Sequence, residues 1–232
     1  MSPQIHVSMT NRLICRLMME VSSLPLSDFF LSSPSTLDMN IVIWNCRGAL
    51  SPSFQIFVHN LVQMHSLAIM IITETKISGQ RAKDITDRLH FDGAIHANNT
   101  GFTGGLCVLW DSTQVEIFEL SLSEQEIHTL LRDLSSKSSW LMSTIYASPR
   151  FVERRLMWDN LSQVAELHSL PWIIAGNFNE MLTKEDKYGG RPINISRAIK
   201  FQECLNNCQM FDIGFSGPCF TWSNRQPLTH LI

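Results

Sequence analysis

Four polar residues stand directly after apolar runs, at the positions where buried strands would end. Asn45 follows "IVIW", Glu74 follows "IMIIT", and Asn177 and Asn179 come with the end of "WIIAG". In layered α/β folds the carboxyl ends of strands converge on one rim, where a rigid backbone holds side chains close together. A carboxylate and amide oxygens on one rim suit a hard divalent cation such as Mg²⁺, which keeps waters for a phosphate partner.

Each of these residues taken alone is also typical of an ordinary turn, because Asn and Asp side chains hydrogen-bond to their own backbone. Their joint occurrence at strand ends favours a site. The spacing does not by itself identify a reaction, so both interpretations stay open at this point.

The hydrophobic pattern predicts the elements that would position these residues. Strands are predicted at 39–45, 67–72, 104–110, 115–120 and 140–146, in "PWIIAGNFNE" and in "CFTWSN". Helices are predicted at 54–65, 77–89, 124–134, 151–167 and 193–208. Alternating strands and helices predict an α/β or α+β layered domain.

Composition and charge narrow the class of protein. The chain has 232 residues, 44% hydrophobic, which is enough for one domain with a substantial core. Its formal net charge is −3, which excludes a strongly basic surface that holds nucleic acid by charge alone. The six cysteines form no CxxC pair, so unpaired thiols are expected, and no apolar run is long enough to cross a bilayer.

Residues 1–38 differ from the rest, being rich in Ser, Pro and Leu without a clear period. We expect this segment to be a leader outside the fold, and residues 39–232 to form the domain. Its amino-terminal apolar stretch lacks a signal-peptide pattern.

Seven sequence blocks carry a more specific signal than the spacing. In chain order they are "IVIWNCRG", "IMIITETK", "TGGLCVLW", "TIYASP", "WIIAGNFNEML", "KEDKYGG" and "DIGFSGPCFTWSN". This set resembles the endonuclease/exonuclease/phosphatase superfamily, and most closely the endonuclease domain of plant LINE-type (non-LTR) retrotransposons, over about residues 39–224. The resemblance implies a DNase-I-like four-layer sandwich of two mixed β-sheets with flanking helices.

The same resemblance implies a role for each residue at the rim. Asn45 and Glu74 would hold Mg²⁺ or Mn²⁺, Tyr146 would contact the scissile phosphate, and Asn179 would hydrogen-bond the phosphate and the attacking water. The family has Gly-Asp-Phe-Asn where this chain has Asn177 as the second residue. An amide cannot take the proton of the water, and loss of a positioned base costs about 10² to 10⁴ in rate. It also removes a negative charge, so cation binding should weaken.

A second departure concerns the end of the chain. The family's later blocks, an Asp and a terminal Ser-Asp-His, do not occur before Ile232, and His230 is not that His. The sequence therefore resembles a truncated copy that lacks carboxyl-terminal strands, and we expect an inner strand to be left with an open apolar edge.

Several basic residues could line a phosphate-binding rim, although an ordinary solvated surface explains them better. They are Arg47, Lys76, Arg150, Arg154 and Arg155.

Three functional hypotheses follow. The first is a Mg²⁺-dependent phosphodiesterase that nicks DNA, in a copy with little or no activity. The second is a non-catalytic remnant or nucleic-acid-binding module of the same fold. The third is a small-molecule or lipid phosphatase. It is the weakest, since "GFTGGLCVLW" and "GFSGPCFTWSN" resemble the retroelement branch of the superfamily better than its phosphatase branch. The family implies DNA as the partner and use in the nucleus; the sequence indicates no membrane and no obligate protein partner.

Overall fold

The computed structural model describes residues 6–10, 15–20, 39–97, 104–189, 192–212 and 230–231. The strands within these ranges are β1 (His6–Thr10), β2 (Cys15–Glu20), β3 (Asn40–Asn45), β4 (Leu67–Thr73), β5 (Gly93–Ala97), β6 (Leu106–Trp110), β7 (Val115–Leu122), β8 (Glu126–Asp133), β9 (Ser139–Tyr146), β10 (Trp172–Asn177), β11 (Tyr188–Gly189), β12 (Met210–Asp212) and β13 (His230–Leu231). The helices are α1 (Pro52–His65), α2 (Gly79–Thr86), α3 (Phe151–Leu167) and α4 (Ile195–Asn207).

The strands form two large mixed sheets. The first has the order β1-β3-β4-β6-β5, and its neighbours β1, β3 and β4 are parallel. The second has the order β12-β2-β10-β9-β8-β7, in which only β9 and β10 are parallel neighbours. β11 and β13 form a separate antiparallel pair.

Three apolar clusters define four layers. The first lies between the sheets and takes residues from β3 to β10, among them Ile43, Ile71 and Ile173. The second packs α3 and α4 on the outer face of the second sheet, and the third packs α1 and α2 on the outer face of the first. The predicted four-layer sandwich is confirmed.

The local sequence explains the central elements. Every residue of β4, "LAIMIIT", is buried, because the strand is covered on one face by the opposite sheet and on the other by α1. Helix α1 has Pro52 in its first turn, where no backbone donor is lost. Its buried residues Phe54, Val58 and Leu61 recur at intervals of four and three, so they form one face.

One predicted helix is wrong. Residues 124–134 contain the strand β8, in which Ile127, Thr129 and Leu131 are fully buried. A short apolar cluster of this kind fits both a helical and a strand period, and here pairing with β7 and β9 decides the outcome. The predicted strand "CFTWSN" lies outside the described residues.

The amino-terminal segment also differs from expectation. β1 pairs with β3, and β2 lies between β10 and β12, so two parts of the expected leader belong to the sheets. Five or six residues of weakly alternating pattern give little signal in a sequence, whereas the edges of β3 and β10 offer rows of backbone donors and acceptors. With these pairings neither β3 nor β10 is an edge strand in the described part of the chain.

Candidate active site at the rim between the sheets

The carboxyl ends of two parallel strand pairs bring the candidate residues together. In the first sheet Asn45 lies in register with Thr73, the residue before Glu74. In the second sheet Asn177 lies in register with Tyr146. Since the sheets pack face to face, the two pairs form opposite sides of one rim.

Asn45 and Glu74 are in direct contact on the first side. Asn45 is buried, and its Nδ2 donates a hydrogen bond of 3.0 Å to Oε1 of the half-buried Glu74. The backbone N–H of Arg47 donates to Asn45 Oδ1 over 3.3 Å. Both side chains are therefore held in fixed orientations with their oxygens at the rim.

The backbone around Glu74 has an unusual conformation. Arg47, Glu74 and Lys76 each have a φ of 55°, in the left-handed region that side chains other than Gly rarely adopt. Two backbone hydrogen bonds fix the turn, from Cys46 N to Thr73 O over 3.0 Å and from Lys76 N to Gly104 O over 2.9 Å. Strained residues of this kind are concentrated at functional sites.

Tyr146 connects the two sides of the rim. Glu74 of the first sheet and Asn179, which follows β10, both lie close enough to its hydroxyl to influence its pKa. Burial raises the pKa of Tyr146, and the negative charge of Glu74 raises it further. The phenol is therefore protonated at neutral pH and acts as a hydrogen-bond donor.

Asn177 and Asn179 form the other side. Asn177 is fully buried, and its Oδ1 accepts a 2.9 Å hydrogen bond from the backbone N–H of Asn179. The Nδ2 atom of Asn177 has no hydrogen-bond partner among the described residues. Asn179 has a φ of 46°, and its Nδ2 donates to Ala147 O over 2.5 Å. An amide donor is thus left over at the position where the resemblance predicts an acid.

Gly176 allows β10 to reach the rim. Its φ is +144°, and a Cβ atom placed there would lie 2.0 Å from Ile145 O on the neighbouring strand. Only Gly tolerates both the conformation and this approach. The close contact between β9 and β10 just before Tyr146 and Asn177 therefore depends on this residue.

The five candidate basic residues differ in their exposure to solvent. Arg47 and Lys76 are exposed, and they follow Asn45 and Glu74 by two residues each. Arg150 has a side chain that is 82% exposed and forms an ion pair of 2.9 Å with Glu153. Arg155 is exposed on α3, whereas the expectation that Arg154 lies on the surface is wrong, because its side chain is only 2% exposed.

Sequence reasoning missed the pairing of Arg154 with Glu180. Arg154 forms a buried ion pair of 2.7 Å with Glu180, the residue after Asn179. The two are 26 positions apart in the chain, so no local pattern signals the pair. The only sequence signal is that Glu180 directly follows the rim motif.

The rim offers hard oxygen ligands but few charges. Among the described residues no group of three or more His, Cys, Asp or Glu side chains could hold a metal ion. The carboxylate of Glu74 and the amide oxygen of Asn45 remain, and Mg²⁺ is commonly bound through one or two carboxylates with waters and a substrate phosphate. The donor set fits such a cation, held weakly until a phosphate joins it.

Several further side chains lie in the core. Trp158, Trp172, Cys204 and Cys208 are buried. The described cysteine side chains, which are Cys46, Cys107, Cys204 and Cys208, form no disulfide. Of the described helices, none is both long and apolar enough to span a membrane.

Comparisons with known proteins extend this description. No protein-family profile and no curated protein sequence matches the chain. Among solved structures it is similar to an AP endonuclease from Leishmania major, with a TM-score of 0.53 and 15% identity, covering 72% of this chain and 66% of that chain. An AP endonuclease from Archaeoglobus fulgidus gives a TM-score of 0.53 and 11% identity, covering 72% of this chain and 69% of that one.

A third similar structure is a 3′ phosphatase from Neisseria bound to a product DNA hairpin, with a TM-score of 0.50 and 15% identity. The match covers 73% of this chain and 71% of that chain. The present chain spans slightly less than two thirds of the length of the Leishmania protein. At these identities the likeness concerns the fold, and the chain has the DNase-I-like sandwich that these proteins share.

Proposed function

We propose that this chain is an endonuclease-type phosphodiesterase in its architecture, whose rim binds a divalent cation and a DNA phosphodiester but hydrolyses the bond little or not at all. The observation that supports the proposal is the convergence of Asn45, Glu74, Tyr146 and Asn179 at one rim, with an amide at position 177. The shared fold provides the background, since AP endonucleases have the same sandwich.

Each residue has a defined role in this proposal. Glu74 and Asn45 hold Mg²⁺ or Mn²⁺ through oxygen atoms. The bound cation would polarise a phosphoryl oxygen. Tyr146, protonated at neutral pH, donates a hydrogen bond to the phosphate, and Asn179 contacts the phosphate and the attacking water. Arg47 and Lys76 meet the neighbouring DNA backbone, while Arg150 is occupied by Glu153.

Asn177 is the reason for the low activity. A positioned carboxylate could take a proton from the attacking water, whereas an amide cannot, which lowers the rate by about 10² to 10⁴. The Nδ2 of Asn177, which has no hydrogen-bond partner among the described residues, is a donor, suited to a phosphoryl oxygen rather than to a cation. This atom favours the second candidate function, a nucleic-acid-binding module that does not hydrolyse its ligand.

We further propose that the chain derives from the endonuclease domain of a plant LINE-type retrotransposon, used on chromosomal DNA in the nucleus. The order and content of the seven sequence blocks support this origin. The fold is compatible with it but is shared by proteins with other roles.

The test is nicking of supercoiled plasmid by the purified chain with Mg²⁺ or Mn²⁺, alongside DNA binding measured by fluorescence anisotropy. Glu74→Ala removes the only carboxylate of the proposed metal site. Glu119→Ala, an exposed residue of β7, is the matched control. We expect metal-dependent DNA binding that Glu74→Ala weakens and Glu119→Ala leaves unchanged, with nicking at or near background.

Two results would contradict the proposal. Efficient nicking that requires Glu74 would show an active nuclease and overturn the assigned effect of Asn177. A folded protein that binds neither Mn²⁺ nor DNA would overturn the site itself.

A further inference from the structure

A buried arginine lies beneath the rim. Arg154, near the amino-terminal end of α3, has a side chain that is 2% exposed. Its Nη1 donates to Ser148 O over 2.7 Å and to Pro149 O over 2.9 Å, and its Nη2 donates to Glu180 Oε2 over 2.7 Å. One guanidinium group therefore binds two separate loops.

These are the two loops that hold the second side of the rim. Ser148 and Pro149 closely follow Tyr146, at the end of β9, and Glu180 directly follows Asn179. Asn179 Nδ2 donates to Ala147 O, which joins the same loops a second time, close to the surface. The two loops are thus joined twice, by Asn179 near the surface and by Arg154 in the interior.

Stability alone does not explain a buried ion pair of this kind. Removing two charges from water is costly, and replacing such a pair by apolar residues of similar size is often neutral or even stabilising. The Nε atom of Arg154, moreover, has no hydrogen-bond partner in the described part of the chain. The planar guanidinium group holds three acceptors at fixed angles, whereas an apolar side chain cannot orient its neighbours in this way.

We propose that Arg154 and Glu180 are positioning residues, which fix the loops after β9 and β10 so that Tyr146 and Asn179 meet the same phosphate. That the ligand is a phosphate rests on the function proposed above. That Arg154 and Glu180 fix the loops does not depend on it, so experiments can disprove either statement separately.

The experiment compares pairs of substitutions that differ in location. Arg154→Met/Glu180→Leu replaces the buried pair by apolar residues, and Arg132→Met/Glu116→Leu does the same to an exposed ion pair between β7 and β8. Single changes at Arg154 or Glu180 leave a buried charge unpaired and can prevent folding, so the double variant carries the test. Arg154→Lys keeps the charge but loses the fork.

Three quantities are measured for each variant: urea unfolding, hydrogen exchange by mass spectrometry, and anisotropy of a labelled DNA duplex with Mn²⁺. For the buried double variant we expect near wild-type unfolding, exchange raised selectively in 147–150 and 177–180, and DNA binding about tenfold weaker. Arg154→Lys should recover only part of the binding, and the exposed double variant should match the wild type.

The outcomes separate the two proposals. If the buried double variant keeps wild-type exchange in both loops, or if exchange rises evenly over the whole chain, the positioning role is wrong. If wild-type protein does not bind DNA, the proposed function fails, and loop exchange alone decides whether Arg154 and Glu180 fix the rim.

Discussion

At the scale of single residues, position 177 determines the charge of the rim, because Asn177 is neutral where an Asp would be negative. Asn177 is fully buried, and its Oδ1 is already occupied by the backbone N–H of Asn179. A carboxylate here would place a second negative charge at the rim, on the side opposite Glu74. Without a cation that charge is buried and costly, whereas with a cation it becomes a second ligand.

We therefore predict that Asn177→Asp makes the stability of the protein depend on metal. At neutral pH the variant should lose about 1–3 kcal/mol of unfolding free energy without metal, because the new carboxylate is desolvated. Added Mn²⁺ should restore the loss, since a ligand of the folded state stabilises it. Thermal unfolding with and without Mn²⁺ measures both effects. A Tm that responds to Mn²⁺ no more than in the wild type, or equally in Asn177→Asp/Glu74→Ala, would show that position 177 does not face the cation.

At the scale of elements, a buried polar chain ties the second sheet to α3. Trp172 Nε1 donates to Ser143 Oγ over 2.8 Å, which leaves the Ser143 hydroxyl hydrogen for His128 Nδ1 at 2.7 Å. His128 Nε2 lies 3.0 Å from Glu126 Oε2, and Asn160 of α3 donates to Glu126 Oε1 over 3.0 Å. The chain crosses β10, β9 and β8, so it fixes the strand that carries Tyr146 in relation to its neighbours.

We predict that Ser143→Ala destabilises the protein by about 3 kcal/mol, because it leaves Trp172 Nε1 and His128 Nδ1 buried without a partner. Urea unfolding measures the change. Thr144→Val is the control on the next residue of β9: the Thr144 hydroxyl is buried and has no partner among the described residues, so its removal should be neutral or stabilising. Equal losses in both variants would mean that packing, not hydrogen bonding, holds this part of the sheet.

The same elements show what a sequence can and cannot predict. β4 and β10 are continuous apolar runs followed by polar residues, so their positions and the residues at their ends could be predicted. The pattern of residues 124–134 fits both a helical and a strand period and predicts a helix, and only pairing with β7 and β9 makes this segment the strand β8. The burial of Arg154 depends on Glu180, far along the chain, and the left-handed backbone at Glu74 depends on contacts with the neighbouring strand. These are tertiary effects that local patterns do not contain.

At the scale of the whole molecule, the amino-terminal strands complete both sheets. β1 lies on one edge of β3, and β2 joins β10 to β12. Each of these positions would otherwise present unpaired backbone N–H and C=O groups next to the rim strands. If residues 1–38 are a leader, removing them should leave the stability unchanged. If β1 and β2 are parts of the sheets, removing them should lower it.

We predict that deleting residues 1–38 destabilises the protein by at least about 3 kcal/mol, since each lost backbone hydrogen bond contributes about 1 kcal/mol. Exposed edges should also promote association, visible as aggregates in size-exclusion chromatography. Deleting residues 1–5, which precede β1, is the control and should change neither property. If the longer deletion unfolds at the same urea concentration as the full chain, the leader interpretation holds and β3 and β10 are stable as edges. If it unfolds earlier, the strands that end in Asn45 and Asn177 depend on their amino-terminal partners, and the rim is a product of the whole chain.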